Sequence, residues 1–279
     1  MVDGGGLENH CTRKGTGGSN PSLSARQLVD ALDGRHLANL TRSEAARALR
    51  ALSSCYVERR GKLASGAPLE TAGKRAAFAL YYGPLHFITI ASIVRASAVA
   101  APRIRTVHDF GCGTGMGGAA WALESECLPF LAGVDRSAWA VAEANWLYRQ
   151  LGLRGRAVRG DLSRALRPRA TFGEDDALLF AYSLNELPDA IRRAARDAVV
   201  DAVTRGAALL IVEPIGKRLG TAGWWGEWRA ALQPLGVRED EWRLAGALLP
   251  ETTRALGRAA GLNPRELTAR SLVTRTPAR

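Results

Sequence analysis

Residues 107–118, VHDFGCGTGMGG, set five glycines within eight positions, directly behind an apolar run that ends in Asp109. Glycine loses more freedom on ordering than any other residue, so this density marks a backbone that must turn tightly or let a ligand approach closely. Two ligand classes compete for such a loop. Gly113, Gly115 and Gly118 satisfy the G-x-G-x-x-G fingerprint of dinucleotide sites, while Asp109, Gly111, Gly113 and Gly115 satisfy a pattern in which a carboxylate precedes alternating glycines. Asp135 stands twenty positions after Gly115 and can accept hydrogen bonds from both hydroxyls of a ribose, a device compatible with either class. Further along, FAYSLNELPD (180–189) offers Asn185 and Glu186 to orient or deprotonate a substrate, although Glu186 could equally cap the helix expected from Pro188. Tyr182 would pack over a bound cofactor or fill the sheet edge.

These residues need a frame that brings distant loops together. From residue 104 the pattern predicts strands at 104–110, 130–135, 156–160, 176–183 and 207–213, separated by helices at 116–126, 137–151, 188–205 and 221–233. A helix at 251–261 and a strand at 267–275 follow. Alternating strands and helices imply a parallel sheet covered on both faces, with ligands held at the carboxyl ends of the strands. Residues 26–100 instead carry apolar residues at steps of three and four, which predicts an all-helical extension. Thr41 or Ser43 is placed to cap its second helix, and Gly83-Pro84 predicts a kink or break in its third. Residues 1–25 are polar and turn-rich and are expected to lack structure. The stretch GGSNPSLSA also reads like a conceptual translation of the T-arm of a transfer-RNA gene, which predicts a start site further downstream.

The Asp109–Gly115 pattern resembles the first motif of class I S-adenosylmethionine-dependent methyltransferases. The resemblance implies a doubly wound, Rossmann-like α/β fold with a seven-stranded sheet over residues 101–279. It also implies S-adenosyl-L-methionine as cofactor, with the backbone of Gly111, Gly113 and Gly115 under its methionine part and Asp109 facing its ammonium group. A pyrophosphate would be repelled by that acid. Asp135 would then hold the ribose. Asp161, in RGDLS, matches the position that bonds the adenine amino group, with Leu162 supplying the adjacent backbone. SLNELP matches the stretch lining the site of methyl transfer.

A finer resemblance, covering roughly residues 45–215, joins KRAAFALYYGPLHFITIASIV, SLNELP and LLIVEP to the methyltransferase-like proteins of the mitochondrial small ribosomal subunit and their bacterial relatives. It implies RNA, ribosomal RNA first, or the small ribosomal subunit as partner. Two other readings remain open: a small-molecule O- or N-methyltransferase with the helical extension as a lid, and a ribosome-assembly factor that binds the cofactor without turnover. One departure stands out, because many relatives carry a cysteine-rich stretch after the fifth strand, where this chain reads GWWGEWRAALQPLGVREDEW.

Composition narrows the field. The net charge is +11, and residues 1–100 carry 13 basic against 7 acidic residues, which suits a polyanionic partner. Arg59, Arg60, Lys62, Lys74 and Arg75 form either a phosphate-facing patch or a solvated helical face. Trp224, Trp225 and Trp228 either stack on bases or fill a core. His86 and His108 read as packed or surface residues. No His, Cys or carboxylate spacing suggests a metal. The four cysteines form no CxxC pair, so neither a disulfide framework nor a metal cluster is expected. The most apolar window, 87–101, is broken by Arg95, so no membrane span is expected. A cytoplasmic location follows as the default.

Overall fold

The computed structural model describes residues 21–58, 69, 71–166, 172–215, 222–262 and 265–274. Seven strands form one sheet: β1 (Thr106–Phe110), β2 (Phe130–Asp135), β3 (Gly155–Arg159), β4 (Asp176–Ala181), β5 (Ala208–Glu213), β6 (Val237–Ala245) and β7 (Glu266–Thr274). Their order is β3-β2-β1-β4-β5-β7-β6. The first five run parallel, and β7 is antiparallel to both β5 and β6. This is the seven-stranded, Rossmann-like sheet that the resemblance implied, with one strand more than the apolar pattern predicted.

Ten helices among the described residues complete the frame. They are α1 (Pro21–His36), α2 (Arg42–Glu58), α3 (Ala72–Ala77), α4 (Gly83–Ser97), α5 (Met116–Glu124), α6 (Ala138–Gln150), α7 (Leu162–Ala165), α8 (Asp189–Thr204), α9 (Ala222–Leu232) and α10 (Glu251–Ala259). Alternation along the strands sends side chains to two cores. Val107, Leu131, Leu179 and Leu210 join a core built with the N-terminal helices, α5, α6 and α10. Phe110, Leu178, Phe180 and Ile211 join one built with α8 and α9. The helical extension therefore shares its core with one face of the sheet. All six residues of β5 are buried, as expected for a central strand covered on both sides.

The structure corrects several expectations. Helix α1 begins at Pro21, inside the stretch expected to lack structure. Strand β6 was absent from the pattern because VREDEWRLA mixes charges of both signs; it is an edge strand, where such residues stay solvated. Strand β4 stops at Ala181, two residues early, because Tyr182 turns into a left-handed conformation with φ 58°. Gly83-Pro84 does not break its helix. A π turn (Phe78–Tyr82) joins α3 to α4, with Gly83 N–H reaching back to Phe78 O, and this wider turn lies directly ahead of Pro84 in the continuous helix. The resulting run Ala72–Ser97, 26 residues, is long and apolar enough by composition to cross a membrane, and 67% of its apolar window is buried within the protein. Gly117 lets α5 lie close to the sheet, since a Cβ there would come within 3.2 Å of Leu179 Cδ2 and 3.3 Å of Ala181 Cβ. At the start of α2, Thr41 and Glu44 exchange side-chain bonds to each other's backbone N–H, a capping box.

Candidate active site

The chain runs outward from β1 through β2 to β3, then returns to lay β4 and β5 on the other side of β1. The strand order therefore switches between β1 and β4, and a crevice opens there at the carboxyl ends. The glycine loop fills this position. Gly111, Gly113 and Gly115 have φ of 73°, 51° and 80°, the region that disfavours residues with a Cβ. Their surroundings differ. A Cβ on Gly111 would lie 2.5 Å from Ser183 Cβ, and one on Gly115 would lie 2.8 Å from Tyr148 Cε1, whereas one on Gly113 would meet nothing within 4 Å. Packing demands the outer glycines, and the middle one borders open space.

Three acids surround the loop. Asp135, at the end of β2, accepts from Gly113 N–H (2.9 Å) through Oδ2 and from Ser137 N–H (2.8 Å) through Oδ1. Asp109 is only 1% exposed and lies beneath the loop, where its Oδ2 accepts from Gly118 N–H at 2.9 Å. It thus serves one of the otherwise unpaired donors in the first turn of α5. Its Oδ1 is buried without a partner. Burial pushes the Asp109 pKa up to about 7, Asp135 adds to the rise, and the Gly118 bond opposes it. The third acid, Glu186, ends a 3-10 turn (Leu184–Glu186) after β4. Crowding by protein atoms raises its pKa to about 7, with Asp135 adding and Arg136 opposing. Water still reaches this exposed residue, which tempers the shift. Glu186 does not cap α8, whose N-cap is Pro188 with no side-chain bond.

The Asn185 amide is turned toward Glu213. Its Nδ2 donates to Glu213 Oε2 at 2.7 Å, and the N–H groups of Leu184 and Asn185 both donate to Glu213 Oε1, at 3.0 and 3.3 Å. The amide therefore points inward and braces the turn that presents Glu186. Glu213, the last residue of β5, is fully buried, and burial pushes its pKa up to about 8. The signal was an acid closing the apolar run LLIVE, which sequence alone cannot separate from an ordinary strand end.

Asp161 caps α7, its Oδ1 accepting from Ser163 N–H (2.8 Å) and Oγ (2.5 Å). These bonds lower its pKa, helped by Arg136 and Arg164. Leu162 opens α7, so its N–H lies in the first turn, where helical partners are missing. Tyr182 donates its N–H to Val212 O at 2.8 Å and stacks its ring on His86, with centroids 4.2 Å apart. Burial raises the Tyr182 pKa and lowers that of His86 to about 4, so the imidazole is neutral.

Other candidates fall elsewhere. Trp224, Trp225 and Trp228 are buried in the second core, and Trp225 Nε1 donates to Glu239 at 2.6 Å, so they are not stacking platforms. Near them, a groove of about 270 Å³ between α8 and α9 contains none of the site residues. His108 pairs with Asp176 at 2.7 Å. Arg59, Arg60 and Lys62 lie outside the described residues. Arg75 donates to Leu69 O and stands over the Trp139 ring at 5.6 Å. Cys112 is a buried free thiol, while Cys127 is disulfide-bonded, contrary to the expectation from cysteine spacing. No metal-binding group of side chains occurs among the described residues.

No protein-family model matches the sequence, and no curated protein matches it significantly. Solved structures of similar shape include a TehB-like S-adenosylmethionine-dependent methyltransferase from Corynebacterium glutamicum, 17% identical, covering 81% of this chain and 99% of that one at a TM-score of 0.42. Another, from Geobacter sulfurreducens in complex with S-adenosyl-L-homocysteine, is 16% identical over 66% of this chain and 89% of that one, at 0.43. Magnesium protoporphyrin IX methyltransferase from Synechocystis is 16% identical over 69% and 84%, at 0.41. Likenesses this distant carry no functional weight, and the site stands on its own geometry.

Proposed function

We propose that the chain is an S-adenosylmethionine-dependent methyltransferase acting on RNA. The observation that carries this reading is the convergence of Asp109, Asp135 and Glu186 around a left-handed glycine loop that is open at Gly113. Like charges this close disfavour one another's ionised form, and a cationic ligand relieves the cost. An anionic pyrophosphate would add to it. S-adenosylmethionine brings two positive centres, and its sulfonium supplies an already electrophilic methyl group.

The residues then divide the work. The loop backbone at Gly113 admits the ligand closely, Asp135 keeps lone pairs for ribose hydroxyls, and Asp161 with the Leu162 N–H suits the adenine edge. Glu186, braced through Asn185 and Glu213, stands at the cleft as the acid able to take a proton from an acceptor. RNA is favoured because exposed Arg136, Arg159 and Arg164 flank this edge in a chain of net charge +11.

Calorimetry tests the cofactor: the protein should bind S-adenosylmethionine and not NAD, and Asp135→Ala should lose about 1.5–3 kcal/mol of affinity for each charge-assisted bond removed. For the partner, filter binding to ribosomal RNA across salt concentrations should fall log-linearly. Replacing Arg136, Arg159 and Arg164 together should flatten the slope by about two units. Tighter binding of NAD would overturn the cofactor, and weak, salt-insensitive RNA binding would favour a small-molecule acceptor.

A further inference from the structure

Five aromatic side chains gather over this cleft from three separate segments. Phe78, Tyr82 and His86 come from the helical run, Trp139 from the first turn of α6 just after Asp135, and Tyr182 from the end of β4. Phe78 lies 5.8 Å from Tyr82, 6.2 Å from His86 and 6.4 Å from Trp139, centroid to centroid, and His86 stacks on Tyr182. The helical run is anchored beside the glycine loop: a Cβ on Gly83 would lie 3.0 Å from Met116 Cε, one residue past Gly115.

Rings that merely fill a core are covered completely, as Trp121, Tyr148, Phe180 and Trp228 are. The five rings over the cleft are mostly buried but keep some exposure, and Phe78, Tyr82 and Tyr182 also pack against the first core. Two local irregularities hold them there. The Phe78–Tyr82 segment is a π turn, an insertion that recurs at functional sites. Tyr182 keeps a left-handed backbone that a bulky side chain adopts only when its surroundings enforce it, and such outliers cluster at ligand sites.

We propose that Phe78, Tyr82, His86, Trp139 and Tyr182 form the acceptor subsite, and that its occupant is an unstacked base of single-stranded RNA. This rests on the methyltransferase reading above and names the part of the substrate it takes. A planar base offers a face to aromatic rings whatever its identity. Charge complementarity selects RNA over a free aromatic molecule: Arg75 stands over Trp139 and Arg136 is exposed beside Asp135, so cations flank the rings where a backbone would leave the base.

The test uses the full chain and two short probes, a fluorescent single-stranded oligoribonucleotide and a sugar–phosphate chain of equal length without bases. Wild type should bind the base-bearing probe about tenfold more tightly, on the scale of one stacked base. Phe78→Leu and Tyr82→Leu, which keep apolar bulk and remove the ring, should bring that ratio close to one. Both should keep wild-type affinity for S-adenosylhomocysteine and the wild-type salt slope. Two variants are used so that one folding failure, read from thermal melting, still leaves a test. Variants that keep the tenfold ratio overturn the subsite. Parallel loss of S-adenosylhomocysteine affinity also overturns it, by assigning the rings to the cofactor, and so does a wild type indifferent to bases. Failure of the wild type to bind S-adenosylhomocysteine is a separate result, and it sinks the methyltransferase reading itself.

Discussion

On the β1–β2–β3 side of the cleft, each acid is held by backbone N–H groups of the loops themselves: Asp161 by Ser163, Asp109 by Gly118, and Asp135 by Ser137 and Gly113. On the β4–β5 side, Glu213 reaches across to the N–H groups of Leu184 and Asn185, and Tyr182 stacks on a ring from the helical extension. The Asp109 and Asp161 bonds on the first side need only a strand, a turn and a helix start in the right order, and the Gly113–Asp135 bond adds the pairing of two neighbouring strands. The second exists only once the whole sheet and the helical layer have packed. Local geometry therefore fixes the cofactor half of the proposed site, and tertiary packing fixes the acceptor half.

The largest effect should come from the glycine loop, where the contrast between its members can be broken directly. Gly115→Ala adds a Cβ at φ 80° within 2.8 Å of Tyr148 and 3.0 Å of Ala144 Cβ. Left-handed strain of roughly 1–2 kcal/mol and overpacking of about 1–3 kcal/mol together predict a stability loss of about 2–5 kcal/mol in urea unfolding. Gly113→Ala carries only the strain, since nothing lies within 4 Å, yet its methyl would enter the open cradle and weaken S-adenosylmethionine binding. Equal destabilisation by the two changes would show that Gly113 is also a packing residue.

The same contrast explains what could be read from sequence. Strands β1, β2, β4 and β5 carry apolar runs between turn residues, β3 and β7 show alternation of apolar and polar positions, and the glycine spacing exposed the loop before any contact was known. Asp135 stood out as the acid ending an apolar strand, whereas Asp161 was singled out only through the methyltransferase resemblance, and both ligand roles belong to the proposal. Strand β6 was not legible, because at a sheet edge solvation suits its charges better than apolar alternation. The inward turn of Asn185 was not legible either, since it depends on a buried acid 28 residues away. Likewise Trp224 and Trp228 showed helical spacing but not which layer would cover them.

An intermediate effect is expected at Glu213, the centre of the packed half. Glu213→Ala leaves two buried N–H groups unpaired, each costing about 1–3 kcal/mol. Glu213→Gln keeps one acceptor oxygen for the Leu184 and Asn185 N–H groups and removes the charge, provided the Asn185 amide turns its oxygen to the new NH2, so the pH dependence of the difference isolates the ionisation. The folded pKa, about 8, lies above the ordinary carboxyl value, so the folded state binds this proton more tightly than the unfolded chain. Stability from this group is thus full at low pH and falls as pH rises from roughly 4.3 toward 8, by at most about 1.4 kcal/mol per unit. The Gln variant should match wild type near pH 5 and exceed it at pH 8.5 in paired denaturation curves. Parallel curves would mean that Glu213 is ionised in the fold.

The smallest effect should come from Asp109→Asn, and it sharpens the comparison most. The amide can still accept from Gly118 N–H, so α5 keeps its first-turn partner and the melting temperature should change little. What disappears is a titratable acid poised near pH 7 beneath a loop proposed to hold a cation. A cation favours the ionised form, so wild-type affinity for S-adenosylmethionine should rise between pH 6 and 7.5 as Asp109 gives up its proton. The gain should stay within about tenfold, because one pKa unit corresponds to about 1.4 kcal/mol and Glu186 and Asp135 remain. In the Asn variant that rise should shrink, while affinity at pH 6, where wild-type Asp109 is already largely neutral, should match. Calorimetry in two buffers of different ionisation enthalpy would count the proton released by wild type and its loss in the variant. If the variant instead unfolds, the carboxylate is needed for the turn into α5, and the acid closest in sequence to the glycines belongs to the fold before it belongs to the ligand.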